Sequence, residues 1–182
     1  MDKRQAILQA TAKLVSLHGL QNTPTSLIAK EAGVGEGTIY RYFKDKEELV
    51  VTVYTSLFED FKSAVMTDFS EKDVIKECFF KCLRNLYDFY RNNQEKVFLL
   101  DYLSASPLLQ PTVKTIVNEP NQQFQQLFME GKAQKIIRDD IGIEVMISFI
   151  YGAVTTLAKK GLAITEDQLE IVLQMAWNSI RA

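Results

Sequence analysis

One histidine, one tryptophan and two cysteines in 182 residues leave this chain few groups for chemistry. Cys78 and Cys82 stand four apart in a helical stretch, and His18 lies sixty residues upstream, so a metal centre lacks a donor set. The two cysteines are read as core side chains, with a thiol-sensing role as the alternative. No paired carboxylates recur at a spacing suited to acid–base work, and no glycine loop follows a strand to cradle phosphate. Catalysis is therefore not expected, and neither a cofactor nor a metal is expected. No run of 18 apolar residues occurs, and the opening MDKRQAILQ has no apolar core of signal-peptide length, so the expectation is a cytoplasmic protein with no membrane partner. An excess of one charge is also lacking. The net charge is −2, with seven Lys or Arg against six Asp or Glu in residues 1–50 and fourteen against seventeen thereafter. A uniformly basic nucleic-acid binder is excluded, but a local basic patch is not. Alternation of period two, internal repeats and low-complexity segments are missing too, which excludes sheets and solenoids.

What is present is helical periodicity. Ile7, Leu8, Ala12, Leu14 and Val15 give a first helix an apolar face, closed by His18-Gly19. Thr23-Pro24 reads as an N-cap with proline at the first helical position, opening a second helix that Gly33 ends. A third helix covers only about Glu36 to Tyr42. A fourth begins near Asp45-Lys46 and is expected to reach about Asp68. Ser70 with Asp73 resembles a capping box for a helix broken at Asn92-Asn93. A shorter helix follows up to Pro107. Helix resumes from Asn121 to about Lys132, and two long helices finish the chain, about Ile141–Lys160 and, from the capping box Thr165-x-x-Gln168, to Ile180. The fold expected is all-α with about nine helices: a helix-turn-helix head over residues 1–46, continuous with a larger helical body over 47–182.

Two short helices around a glycine-marked turn form a helix-turn-helix pattern, whose second helix suits the DNA major groove. Ile39 and Phe43 are expected to pack inward against Ile7, Ile28 and Leu49. Thr38, Tyr40 and Arg41 then face outward. Arg41 has the planar donor fork for guanine O6/N7, and hydroxyls suit phosphate or base edges. The first N–H groups of the third helix, kept clear by Gly35 and Gly37, can approach phosphate. Lys46 opposes the dipole at a helix start, and a phosphate would explain it. Taken singly, Tyr40 and Tyr42 read as rim aromatics and Arg41 as solvated surface. Their joint placement carries the DNA-binding reading; a structural adaptor and an enzyme are the rival classes.

Ile7-Leu8, Ala12, Gly19, Thr23, Ile28-Ala29, Ala32-Gly33-Val34, Gly37-Thr38, Tyr40, Tyr42-Phe43, Lys46, Glu47 and Leu49 together resemble the head of the tetracycline-repressor (TetR/AcrR) family of bacterial transcription regulators. The resemblance runs from Ile7 to about Val53. It implies DNA contacts from Thr25, Ser26, Thr38, Tyr40, Arg41, Tyr42 and Lys46; Gly35 and Glu36 join them through the backbone at the start of the third helix. Pro24 stands where a Thr or Ser is usual. Gly35 replaces a serine cap, which costs only a few tenths of a kcal/mol but removes a hydroxyl.

The last two helices are apolar over much of their circumference, more than burial on one side requires. A seven-residue recognition helix also reads few bases, which a two-fold pair of half-sites remedies. The resemblance implies a homodimer through a four-helix bundle, here assigned to Phe149, Ile150, Ala153, Leu157, Leu169, Val172, Leu173, Ala176, Trp177 and Ile180. It further implies a pocket in the body for a small hydrophobic or amphipathic effector. Candidate wall residues are Tyr87, Tyr90, Phe98, Tyr102, Phe124, Phe128, Met146 and Tyr151, with Asp101 or Asn121 as polar anchor. The expected function is a homodimeric repressor released from double-stranded operator DNA by that effector; activation, or regulation without an effector, is the alternative.

Overall fold

The computed structural model describes residues 2–70, 74–111, 113, 115 and 122–182. The helical periodicities become nine helices among the described residues: α1 Lys3–His18, α2 Thr25–Glu31, α3 Glu36–Tyr42, α4 Lys46–Val65, α5 Ile75–Asn92, α6 Gln94–Ser104, α7 Gln122–Ala133, α8 Ile143–Lys159 and α9 Glu166–Ile180. The β pairing among these residues is one isolated bridge, Ile137 with Arg181. The fold is all-α: an N-terminal helix-turn-helix bundle continuous with a larger helical body. By internal packing the chain divides into two compact units, Met1–Asp60 with Glu95–Asn118, and Phe61–Gln94 with Glu119–Ala182.

In the first unit, α1 turns Ile7, Leu14 and Val15 onto α2 and α3. These residues join Ile28, Ile39, Phe43, Leu49, Val50, Val53 and Tyr54 in one buried cluster. Burying each large aliphatic side chain contributes roughly 1.5–3 kcal/mol. Cohesion of this size is needed, because helices of seven residues such as α2 and α3 do not hold in water by themselves. The helix α6 also belongs to this unit: Leu99 and Leu103, with Leu109 beyond the helix, complete the same cluster.

Two helix starts differ from the sequence expectation. Pro24 itself is the N-cap of α2, and its first helical residue is Thr25. Thr23 is fully buried, and its hydroxyl lies 2.8 Å from the Gly19 carbonyl and 3.3 Å from that of Leu14. The hydroxyl therefore ties the turn to α1 rather than capping α2. The helix α5 begins at Ile75 with Val74 as N-cap; Asp73 of the expected capping box lies outside the described residues. The capping box of α9 is formed in full, Gln168 N–H donating to Thr165 and Thr165 N–H to the Gln168 side chain.

In the second unit, α5 is central and packs on α7, α8 and α9. Phe79 is fully buried, with Trp177 edge-on at 5.2 Å between ring centroids and Phe128 at 6.4 Å. Arg84 clamps α9 by ion pairs to Glu166, at 2.8 Å, and to Glu170. Cys78 and Cys82 are buried on the same face, as expected of core side chains. Burial, with the neighbouring Cys78, pushes the Cys82 thiol up to about 12.

Candidate nucleic-acid interface

The turn between α2 and α3 is built by backbone chemistry. Gly33 adopts φ +65°, a left-handed conformation that L side chains resist. Its N–H donates to Lys30 O at 3.2 Å and the N–H of Val34 to Ala29 O at 3.0 Å. This is a Schellman closure, and half-buried Val34 supplies its apolar contact with the core. The chain leaves the turn through Gly35, which caps α3 without a side-chain bond; Thr38 N–H donates to Gly35 O at 2.8 Å.

The rotation of α3 is then fixed by Ile39, fully buried, and by Phe43 just beyond it. The opposite face is left to solvent: Tyr40 is 52% exposed, Tyr42 40%, and Glu36, Gly37 and Arg41 are exposed as well. Thr38 is half-buried. On α2, Ser26 is exposed and Thr25 half-buried. The Thr25 hydroxyl donates to Glu36 Oε1 at 2.8 Å and lies 3.2 Å from the Tyr40 hydroxyl. One threonine therefore links the start of α2 to two residues of α3. This surface combines a guanidinium, two phenols and several hydroxyls on a short helix held rigid from behind, and it can donate to phosphates and to base edges.

The start of α4 closes the arrangement. Glu48 N–H donates to Asp45 Oδ1 at 2.9 Å, and Lys44 N–H to Glu48 Oε2 at 2.6 Å. The half-buried Lys46 side chain turns back to the α1–α2 turn, where Nζ donates to the Leu20 carbonyl at 2.8 Å. Burial holds its pKa below the ordinary lysine value. The carbonyl answers part of what an ammonium at a helix start requires, a partner that spacing along the chain does not reveal.

The ten residues assigned to an effector pocket are divided by the structure. Phe98, Asp101 and Tyr102 belong to the first unit. Phe98 and Asp101 are exposed, because α6 uses Leu99 and Leu103 for burial. Tyr102 stacks on Phe98, and its hydroxyl accepts the Leu20 N–H at 2.9 Å. Tyr87, Tyr90, Phe128 and Met146 are buried core residues of the second unit, with Phe124 half-buried beside Phe128. Tyr151 is partly exposed and its hydroxyl meets that of Tyr90. Asn121 lies outside the described residues.

The residues assigned to a dimer contact are also of two kinds. Ile150, Leu169, Leu173, Ala176, Trp177 and Ile180 are covered by the chain's own packing. Leu157 and Val172 are half-buried, and Phe149 and Ala153 are exposed. The same outer faces also carry Val145, Ile171 and Met175, about three-fifths exposed each. Val145-Phe149-Ala153 and Ile171-Met175 repeat at helical spacing on the sides facing away from the core, a signal present in the sequence.

Among the described residues there is no cluster of three potential metal ligands, and no helix long and apolar enough to cross a membrane.

Residues 7–53 match the family model for bacterial regulatory proteins of the tetR family, and residues 44–182 match the tetracyclin repressor-like C-terminal domain. An uncharacterized HTH-type transcriptional regulator of Haemophilus influenzae is 31% identical over 117 residues, 64% of this chain and 63% of that protein. The chain thus spans less than two thirds of that relative's length. A putative TetR-family regulator from Vibrio parahaemolyticus superposes with a TM-score of 0.87 at 26% identity over 100% of both chains. The transcriptional regulator FadR from Bacillus subtilis, solved in complex with stearoyl-CoA, shares the fold, with a TM-score of 0.78 at 20% identity over 97% of this chain and 98% of that one. With a helix-turn-helix at its head and the C-terminal domain over the rest of its length, the chain belongs to the tetR family of bacterial regulatory proteins.

Proposed function

We propose that this chain is a DNA-binding transcriptional regulator of the cytoplasm, a homodimeric repressor released from operator DNA by a small hydrophobic or amphipathic effector. Residues 1–46 bind DNA; residues 47–182 dimerise and bind the effector. The observation that carries the reading is the mounting of α3, whose inner face is locked by Ile39 and Phe43 while Tyr40, Arg41 and Tyr42 stand exposed. Arg41 addresses a base edge, and Tyr42, Thr25, Ser26 and Lys46 address the backbone. The exposed apolar faces of α8 and α9 support pairing, because two heads read two half-sites where one short helix reads too few bases. Effector binding favours a spacing of the heads that no longer fits successive major-groove faces, a shift of population between two states.

The test is titration of the purified chain onto duplex DNA from upstream of its own gene, at several salt concentrations. Arg41→Ala is expected to weaken binding by about 1–3 kcal/mol, and Tyr42→Ala to weaken it with less effect on sequence preference. Absence of duplex affinity at low salt overturns the reading. Stearoyl-CoA, the ligand of the Bacillus subtilis structure, is a first amphipathic probe. A duplex affinity unmoved by it and by a panel of apolar compounds removes the effector from the proposal.

A further inference from the structure

Leu20 lies in the turn between α1 and α2, and side chains from two other helices grip it on both sides of its Cα. Its N–H donates to the Tyr102 hydroxyl of α6 at 2.9 Å. Its carbonyl accepts from the Lys46 ammonium of α4 at 2.8 Å. With its own side chain buried in the head core as well, Leu20 is held at three points. The approach of Tyr102 depends on the residue before it. Gly19 has φ +75°, and a Cβ there would stand 3.0 Å from the Tyr102 hydroxyl oxygen. On its other side the tyrosine ring stacks against Phe98, centroids 6.3 Å apart and planes 14° apart. The hydroxyl is thus placed by a helix turn behind it and a glycine in front of it.

We propose that Tyr102 is a positioning residue for DNA binding: by accepting the Leu20 N–H, it holds the Leu20 carbonyl where that carbonyl fixes the Lys46 ammonium for a backbone phosphate. The inference rests on the reading that Lys46 meets DNA. An ammonium carries three protons and the carbonyl takes one, leaving donor capacity for an anion. A lysine held in place before DNA arrives loses less side-chain freedom on binding than a mobile one. Tyr102, assigned from sequence to an effector pocket, therefore acts on the head.

The full-length chain is titrated onto its upstream duplex across a salt series as wild type, Lys46→Gln, Tyr102→Phe and the double variant. Tyr102→Phe keeps the ring and removes the hydroxyl that accepts the Leu20 N–H. It is expected to weaken binding about five-fold, the scale of one ordinary hydrogen bond, and to make the dependence of affinity on salt shallower. Lys46→Gln makes that dependence shallower by about one charge per protomer. In the Lys46→Gln background, Tyr102→Phe has no further effect. Thermal melts of each variant separate this from loss of fold, which lowers the active fraction without changing the salt slope. A Tyr102→Phe variant with wild-type affinity and slope, or one whose loss adds in full to that of Lys46→Gln, overturns the positioning role and leaves the phosphate role of Lys46 standing. A Lys46→Gln variant that binds as wild type overturns both.

Discussion

Phe149 offers the sharpest test of the dimer proposal. It sits on α8 with 63% of its surface exposed, between Val145 and Ala153 on the face turned away from the core. Burying a phenylalanine completely contributes roughly 1.5–3 kcal/mol, so about 1–2 kcal/mol of that gain is left for a partner to supply. Two-fold symmetry uses the residue twice, giving about 2–4 kcal/mol per dimer. At about 1.4 kcal/mol per decade, Phe149→Ala raises the dimer dissociation constant by roughly 30- to 1,000-fold. Phe149→Asp goes further, because two carboxylates must be desolvated without partners. Sedimentation velocity over a concentration series measures the constant. Urea unfolding of the variants checks the fold, which is expected to lose little since Phe149 is not among the buried core. Phe149→Asp sedimenting as a dimer with the wild-type constant refutes the argument, as does a wild-type chain that is monomeric throughout the micromolar range.

Three further outcomes are expected. Glu36→Gln keeps an acceptor for the Thr25 hydroxyl but removes a negative charge from the face proposed to meet phosphates; affinity for non-specific duplex is expected to rise about two- to five-fold at low salt and to converge with wild type at high salt. Thr165→Ala removes the hydroxyl that caps α9 and is expected to cost about 1 kcal/mol in urea unfolding, while Thr165→Ser restores it. Cys82, its thiol pushed up to about 12 by burial and its neighbour Cys78, is expected to resist an aromatic disulfide reagent at pH 8 in the native chain and to react once urea unfolds it, since the thiolate is the nucleophile; rapid labelling of the native protein contradicts this.

The recognition turn was legible because it is local chemistry. Only a glycine takes the φ of residue 33 without strain, and the bonds that close the turn lie within five residues. The rotation of α3 was legible for the same kind of reason, since Ile39 and Phe43 are the apolar residues of that stretch that point one way. Thr23 was misread because its hydroxyl had two possible partners, and the carbonyls of α1, brought near by tertiary folding, took it from the α2 N-terminus. The aromatic residues of the body could not be sorted from sequence. A tyrosine at helical spacing reads alike whether it fills a core, as Tyr87 does, or lies against a glycine in another element, as Tyr102 does. On α9, Leu169-Leu173-Trp177 and Ile171-Met175 form two apolar stripes, and only the positions of α5 and α8 decide which one the chain buries.

The polar side of α3 follows from the same economy of contacts. A seven-residue helix with a glycine cap lacks the length and the capping bond that would let it persist alone. Its order is borrowed: from Ile39 and Phe43 behind it, from the Gly33 turn before it, and from the Thr25 hydroxyl joining its first turn to α2. On the outward side only Glu36 and Tyr40 share in this, through the Thr25 hydroxyl, so Arg41 and Tyr42 are not among the groups that hold the helix. Substitutions at Arg41 are therefore expected to alter sequence preference with little change in stability, whereas those at Ile39 lower stability and weaken binding to every sequence alike. That separation is what a reading helix requires, and here the two sets of residues interleave on consecutive positions of a single turn.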